Sequence, residues 1–205
     1  MLTILNYGVG NLASIKNMLK RVGVEAVISS DEQDIQQAAK IILPGVGAFD
    51  TCAQKLQESG VTSLLKKKVY EDKIPLLGIC VGMQLLLEGS EEGVLPGLGW
   101  IKGKNVRFDV EKLPQHYKVP HIGWTEVTAS KKSALTANLE TEARFYFVHS
   151  YHAQLANPAD ELFEADYGYR FTAGIQHENI FGVQFHPEKS HRFGRQLLEN
   201  FVTYR

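Results

Sequence analysis

The sequence predicts an α/β fold: an open, mostly parallel, twisted sheet flanked by helices, with antiparallel additions in its second half. Three observations carry that expectation. Apolar runs at residues 2–6, 40–43 and 74–79 alternate with segments of helical periodicity, as strand–helix–strand units do. The run at 40–43 is continuously apolar rather than alternating, which suits a strand buried on both faces. Beyond residue 100 strand-like segments succeed one another without helices between them, so part of the sheet should run antiparallel.

The elements follow in order. Residues 2–6 form the first strand and end in the turn Tyr7-Gly8-Val9-Gly10-Asn11. Asn11 is placed to cap a helix in which Leu12, Ile15, Leu19 and Val22 recur at helical spacing until Gly23 ends it. Strands are expected at 24–29 and 40–43, the latter running into Pro44-Gly45. Helices follow at 48–58 and 61–71, then a fourth strand at 74–79, and Met83 to Leu87 continue at helical spacing. The second half reads as strands at 100–108, 121–128, 145–149, 171–176 and 180–185. The last two are joined by His177-Glu178-Asn179 as a hairpin. An amphipathic helix over about 190–201 closes the chain, and Gly93 to Gly99 reads as a surface loop.

With 205 residues, no internal repeat and no linker, residues 1–205 are expected to form a single domain with a substantial core. Lys and Arg total 22 against 23 Asp and Glu, a net charge of −1 that gives no argument for nucleic acid or a membrane surface as partner. Cys52 and Cys80 are too few for a disulfide framework and lack metal-ligand spacing, so neither a disulfide scaffold nor a metal is expected. No apolar run approaches the ~18–20 residues of a membrane span. Met1 to Asn6 lack the pattern of a secretory signal, so a cytoplasmic protein is expected.

Three segments carry chemistry. In Gly78-Ile79-Cys80-Val81-Gly82 the glycines two before and two after a cysteine permit a sharp strand-to-helix turn around a strained nucleophile. A thiol there sits at a helix N-terminus, and the Val81 amide points where an oxyanion would form. The bland alternative is a buried structural cysteine, the commoner fate of a free Cys. Gly182-Val183-Gln184-Phe185-His186-Pro187-Glu188 supplies a base, His186, at a strand end, with Glu188 two residues on to orient it. Alone, such a pair is usually a solvated His beside a surface Glu; the cysteine elbow shifts the balance. Pro44-Gly45-Val46-Gly47-Ala48-Phe49 follows a third strand end and can donate a second oxyanion N–H. In open α/β sheets ligands sit beyond the carboxyl ends of the strands, so one crevice can hold all three segments. The chemistry they support is a cysteine hydrolase or acyl transferase acting on an amide or ester.

Together these residues resemble the class I (triad-type) glutamine amidotransferases, and among them the glutaminase subunits of imidazole glycerol phosphate synthases. The resemblance runs from Asn6-Tyr7-Gly8-Val9-Gly10-Asn11-Leu12 through the 43–49 and 78–84 segments. It continues with Pro120-His121-Ile122-Gly123-Trp124, Tyr146 to Tyr151, and Gly182 to Ser190. Gly45-Val46-Gly47, where other class I relatives usually carry Gly-Pro-Gly, points to the histidine-pathway branch. The resemblance implies that Cys80 attacks the glutamine carboxamide, that His186 moves the protons and that Glu188 orients His186. Val81 and the Val46 or Gly47 amide would form the oxyanion hole; Gly47, Gln84, His149, Ser150 and Tyr151 would hold L-glutamine. It implies no cofactor and a (β/α)8-barrel cyclase as heterodimer partner, faced by Asn11, Trp124 and Lys189. A core position for Trp124 and a solvated Lys189 are the plain alternatives.

Two departures stand out. Asn6 replaces the Asp with which the family usually opens, and residues 100–118 match no family motif. A paralogous branch supplies ammonia to a cyclase-like partner for amidino-sugar synthesis in surface polysaccharides and keeps the same triad, so the motifs leave that alternative open. A non-catalytic activator subunit and a different cysteine hydrolase, such as a peptidase, are the rivals from other classes.

Overall fold

A computed structural model describes residues 1–204. The first half builds β1 (Leu2–Leu5), α1 (Leu12–Arg21), β2 (Ala26–Ser29), α2 (Glu32–Gln36), β3 (Lys40–Gly45), α3 (Phe49–Glu58), α4 (Thr62–Tyr70), β4 (Leu76–Cys80) and α5 (Val81–Gln84). The second half adds β5 (Gly103–Arg107), β6 (His121–Ala129), β7 (Arg144–His149), β8 (Tyr151–Leu155), β9 (Glu161–Asp166), β10 (Arg170–His177), β11 (Ile180–Val183) and α6 (His191–Thr203). The main sheet runs β2-β1-β3-β4-β11-β10-β9-β6-β7. β2, β1, β3, β4 and β11 are parallel, whereas β10, β9, β6 and β7 continue the sheet antiparallel. β8 pairs with β10 on one side and β5 on the other.

This is the expected mixed sheet, and its parallel half sets the direction of the site. β1, β3, β4 and β11 present their carboxyl ends to one edge, so the loops at residues 6–11 and 45–48, Cys80, and the segment after Val183 gather there. Every residue of β1, β4 and β11 is buried, as the apolar runs require. The helices pack in pairs beside the sheet, α1 with α6 and α2 with α4. Among the described residues no helix is long and apolar enough to cross a membrane.

Four local features differ from the sequence reading. The segment after Cys80 is a single helical turn, although Leu85, Leu86 and Leu87 continue the helical spacing. The loop at 98–100 returns over it, and the N–H groups of Leu98, Trp100 and Gly99 take the carbonyls of Leu85, Leu86 and Leu87 at 2.7, 2.9 and 3.0 Å. Helix propagation stops because its acceptors are already engaged. Asn11 occupies the N-cap position of α1 without a side-chain cap hydrogen bond; only its carbonyl accepts, from Ile15 N at 3.2 Å. The short helix α2 was not foreseen, though Asp31 caps it, Oδ1 accepting from Gln33 N at 2.7 Å. β8 and β9 were also not foreseen. β9 reads Glu-Leu-Phe-Glu-Ala-Asp, and its strand form follows from pairing with β10 and β6 on its two sides.

Candidate active site

β4 delivers Cys80 to the carboxyl edge of the sheet, in register with Gly45 of β3. Cys80 has φ 55° and ψ −114°, a backbone region that residues with a Cβ rarely occupy. Close packing around it enforces that strain. A Cβ on Gly82 would stand 1.9 Å from the Leu43 carbonyl oxygen, and one on Gly78 would stand 2.7 Å from the Gly82 oxygen. The chain therefore turns back on β3 and on itself only because both positions are glycine. Val81 is the first residue of α5, so its N–H has no acceptor within the helix. With α5 one turn long, this single amide, more than a helix macrodipole, is what the local structure offers an oxyanion.

His186 follows β11, the strand beside β4. Its N–H donates to the Tyr146 carbonyl at 2.9 Å, and its own carbonyl accepts from Ser190 Oγ at 2.6 Å. Ser190 Oγ in turn accepts from Tyr146 N at 3.0 Å, so β7 and the start of α6 hold the His186 backbone from two sides. Pro187 opens a 3-10 turn that brings Glu188 under the ring, with Nδ1 and Oε1 2.8 Å apart. Both side chains are almost completely buried. Burial alone would strip the proton from His186. Hydrogen bonds to Cys80 and to Glu188 outweigh it and raise the imidazole to about 10. With Nδ1 engaged by Glu188, Nε2 is the nitrogen left for the thiol. Glu188 Oε2 is buried with no hydrogen-bond partner among the described residues, so Oε1 carries the contact.

The Gly45-Val46-Gly47 loop closes the third side. Gly47 has φ 95°, and the Val46 carbonyl is turned inward, where it accepts from the Cys52 thiol at 3.4 Å. Burial pushes that thiol up to about 11, which keeps it a donor. In a trans peptide the N–H points opposite to the carbonyl, so the Gly47 N–H faces away from Cys52.

A cavity of about 410 Å³ is lined by Val46, Gly47, Cys80, Val81, Gln84 and His186, and on its other wall by His149, Ser150 and Tyr151. The structure thus brings together every residue expected in the triad, the oxyanion hole and the glutamine pocket. A second cavity of about 390 Å³, between α3, the start of α4 and the 95–98 loop, contains no titratable side chain. Larger cavities of about 760 and 460 Å³, beside Glu88, Glu91 and Lys104 and beside Glu32 and Gln36, contain neither cysteine nor histidine, so chemistry, not size, singles out the first.

Gln84 is buried, its Nε2 donating to the Tyr151 carbonyl at 3.3 Å and to Gln184 Oε1 at 3.0 Å. Gln184, which the sequence reading quotes in a motif without giving it a role, carries this link to Cys80, its Nε2 lying 3.8 Å from Sγ. A glutamine inside the apolar run Gly182-Val183-Gln184-Phe185 was the available signal. Glu92 was also missed; it lines the cavity and accepts from Phe49 N at 2.9 Å, tethering the start of α3. Both ring nitrogens of His149 are engaged by protein groups, the Tyr151 carbonyl at 2.8 Å and His121 at 3.0 Å. Among the described residues no cluster of three or more His, Cys, Asp or Glu is arranged to hold a metal ion.

Of the three residues expected to face a partner, Trp124 is 45% exposed, which removes the core alternative. Its indole stacks on His191, with ring centroids 5.2 Å apart and planes 5° from parallel. Lys189 is exposed and lies 5.4 Å above the Tyr146 ring. Ile122, at 60% exposure, and Val148 extend this surface to the cavity, which Val148 and Lys189 also line. Asn11 is half-buried in the loop after β1, on the same sheet edge.

Comparison with known proteins gives a consistent picture. The family model described as "Glutamine amidotransferase class-I" matches residues 3–204. "Imidazole glycerol phosphate synthase subunit HisH 2" of Methanococcus maripaludis is 49% identical over 98% of this chain and 98% of its own length. The protein of the same name from Pseudomonas aeruginosa is 48% identical over 98% of each chain. "Imidazole glycerol phosphate synthase subunit HisH" of Leptospira interrogans is 48% identical over 99% of this chain and 100% of its own. Among solved structures, the fold matches a crystal structure described as a glutamine amidotransferase, with TM-score 0.74, 20% identity and coverage of 98% and 99% of the two chains. It also matches a chain in the structure of PurLQS from Thermotoga maritima, with TM-score 0.75, 18% identity and coverage of 99% and 97%.

Proposed function

Because the chain belongs to the class I glutamine amidotransferase family, we propose that it is the glutaminase subunit of an imidazole glycerol phosphate synthase. It hydrolyses L-glutamine to glutamate and ammonia and hands the ammonia to a cyclase subunit in histidine biosynthesis. The observation that carries this reading is the buried line of Cys80, His186 and Glu188, opening into one cavity at the carboxyl ends of β4 and β11.

The geometry accounts for each step. Glutamine enters with its carboxamide over Cys80, its other end against Gly47, Gln84, Ser150 and Tyr151. Cys80 gives its thiol proton to His186 Nε2 as Sγ attacks the carboxamide carbon, and the oxygen that gains charge is met by the Val81 N–H and by the Val46 or Gly47 amide. His186, its charged form supported by Glu188, passes that proton from Nε2 to the leaving nitrogen, which departs as ammonia. The product is a glutamyl thioester on Cys80. His186 then takes a proton from water, whose oxygen attacks the thioester carbon; the C–S bond breaks, Sγ recovers the proton from His186 and glutamate leaves. Glu188 supports the imidazolium in both halves. Glutamine and water become glutamate and ammonia, and every step is supplied by side chains, backbone amides and water, so the mechanism calls on no cofactor.

The exposed Ile122, Trp124, Val148 and Lys189 surface beside the cavity suits a docked partner. We assign it to a (β/α)8-barrel cyclase, in a heterodimer formed in the cytoplasm, with residues 1–205 acting as one glutamine amidotransferase domain. The test is Cys80→Ala in the complex. Glutamine-dependent synthesis should vanish while synthesis from ammonium salts persists; retention of glutamine-dependent synthesis would overturn the reading. A second reading keeps the same chemistry but feeds a cyclase-like partner in surface-sugar synthesis. Which cyclase activates the subunit decides between them.

A further inference from the structure

His121 is buried, sits on β6 and takes no part in the mechanism above. Its ring lies between those of Tyr167 and Phe147, with centroids 4.0 and 4.9 Å away and near-parallel planes. That stacking fixes the plane of the ring, and the partners of its two nitrogens set its orientation within that plane. Nδ1 is 3.0 Å from His149 Nε2, and Nε2 is 2.8 Å from Thr125 Oγ1. His149 Nδ1 is 2.8 Å from the Tyr151 carbonyl.

These contacts allow one arrangement of protons when both rings are neutral. A carbonyl only accepts, so the His149 proton is on Nδ1 and its Nε2 is a lone pair. His121 must then donate from Nδ1, and its Nε2 accepts from the Thr125 hydroxyl. Burial holds His121 down to about 4 and His149 well below its ordinary value, which keeps both rings neutral at neutral pH. The relay ends on the cavity wall. The Tyr151 carbonyl accepts from both His149 and Gln84, and the adjoining Ser150 carbonyl accepts from Phe108 N at 3.0 Å.

We propose that His121 is a positioning residue for glutamine binding, which acts through His149 to hold the Ser150–Tyr151 wall of the cavity in one orientation. This rests on the glutaminase reading and extends it to a residue that does not touch the substrate. Losing His121 removes one buried donor from that wall, and its effect falls on KM rather than kcat, because Cys80, His186 and Glu188 are left in place.

The test uses the complex with its cyclase and ribonucleotide ligand. His121→Phe keeps the ring stacking and removes both nitrogens, whereas His121→Asn returns a donor near the position of Nδ1. His121→Phe should raise the glutamine KM about five- to tenfold, the scale of one lost hydrogen bond, with kcat within twofold. His121→Asn should recover most of that rise. An unchanged KM in folded His121→Phe, or a fall in kcat with KM constant, would overturn the proposal. Should His121→Phe fail to fold, Thr125→Val removes the terminal donor alone and should raise KM about two- to threefold. Independently, ¹⁵N-histidine NMR of the wild-type chain should show His121 and His149 as Nδ1–H tautomers, and an Nε2–H tautomer at either ring would refute the relay. If the wild-type complex released no glutamate, the glutaminase reading would fail, while the tautomer spectrum would still decide the relay.

Discussion

Replacing Glu188 with Gln changes one charge in a site where geometry and burial make that charge count. His186 Nδ1 and Glu188 Oε1 lie 2.8 Å apart, and the side chains are 3% and 1% exposed. At an effective dielectric of about 20, unit charges at that separation attract by roughly 6 kcal/mol. The glutamine carbonyl still accepts from Nδ1–H and recovers part of this, leaving a loss of about 4 kcal/mol whenever the imidazolium must form. That corresponds to about a 10³-fold fall in kcat, with the glutamine KM within threefold because no pocket contact changes. The assay is glutamate release by the cyclase complex at saturating ribonucleotide. The same substitution has a pH signature. Cys80 and Glu188 together raise His186 from 6.5 to about 10 in the folded chain, so the part of that stabilisation supplied by Glu188 is fully present below about pH 6.5 and is lost as pH rises through about 10. The melting-temperature gap between wild type and Glu188→Gln should therefore be widest near pH 6.5 and narrow towards pH 10. A kcat within fivefold of wild type, or a gap that widens with pH, would refute the reasoning.

Trp124→Ala should weaken cyclase binding about 30-fold, the scale of an interface aromatic anchor, read by titrating activation with cyclase. The melting temperature of the isolated chain should hardly move, since Trp124 is 45% exposed. Gly82→Ala places a Cβ 1.9 Å from the Leu43 carbonyl oxygen, so β4 or the Cys80 elbow must shift. A cost of about 3 kcal/mol, a fall in melting temperature of roughly 6–12 °C and loss of glutaminase activity are expected. Lys40 Nζ donates to the carbonyls of Phe201 and Val202 at 3.0 and 2.6 Å and also reaches that of Tyr204, closing the end of α6. Lys40→Met should lower the melting temperature by about 3–8 °C and leave kcat unchanged, both measured on the same preparation.

The parallel half of the sheet and the residues proposed as catalytic were legible because each is written in a short stretch of chain. A buried strand ending in Gly-x-Cys-x-Gly specifies its own turn, and His-Pro-Glu sets base and carboxylate two residues apart. Their meeting follows from the shared carboxyl edge of β4 and β11. What stayed hidden depends on residues distant in sequence. β9 carries two Glu and an Asp and becomes a strand only between β10 and β6. The leucines after Gln84 promised a longer helix, and the returning 98–100 loop took their carbonyls instead. Residues 100–118 matched no motif, yet they contribute β5 and the buried Phe108, whose ring packs against His149 and His152. Gln184 and His121 stand inside quoted motifs without a role of their own, and only the pairing of β11 with β4, and of β7 with β6, brings them to the site.

The most direct test of the account is glutamate release from glutamine by this protein alone, then with the histidine-pathway cyclase of the same genome, without and with its ribonucleotide ligand. The account predicts slow release by the isolated chain and strong activation by cyclase with ligand, since a Gly-Val-Gly loop can turn an amide towards or away from the oxyanion and a partner can set which. No release in the full complex, or rapid release by the chain alone, would contradict it.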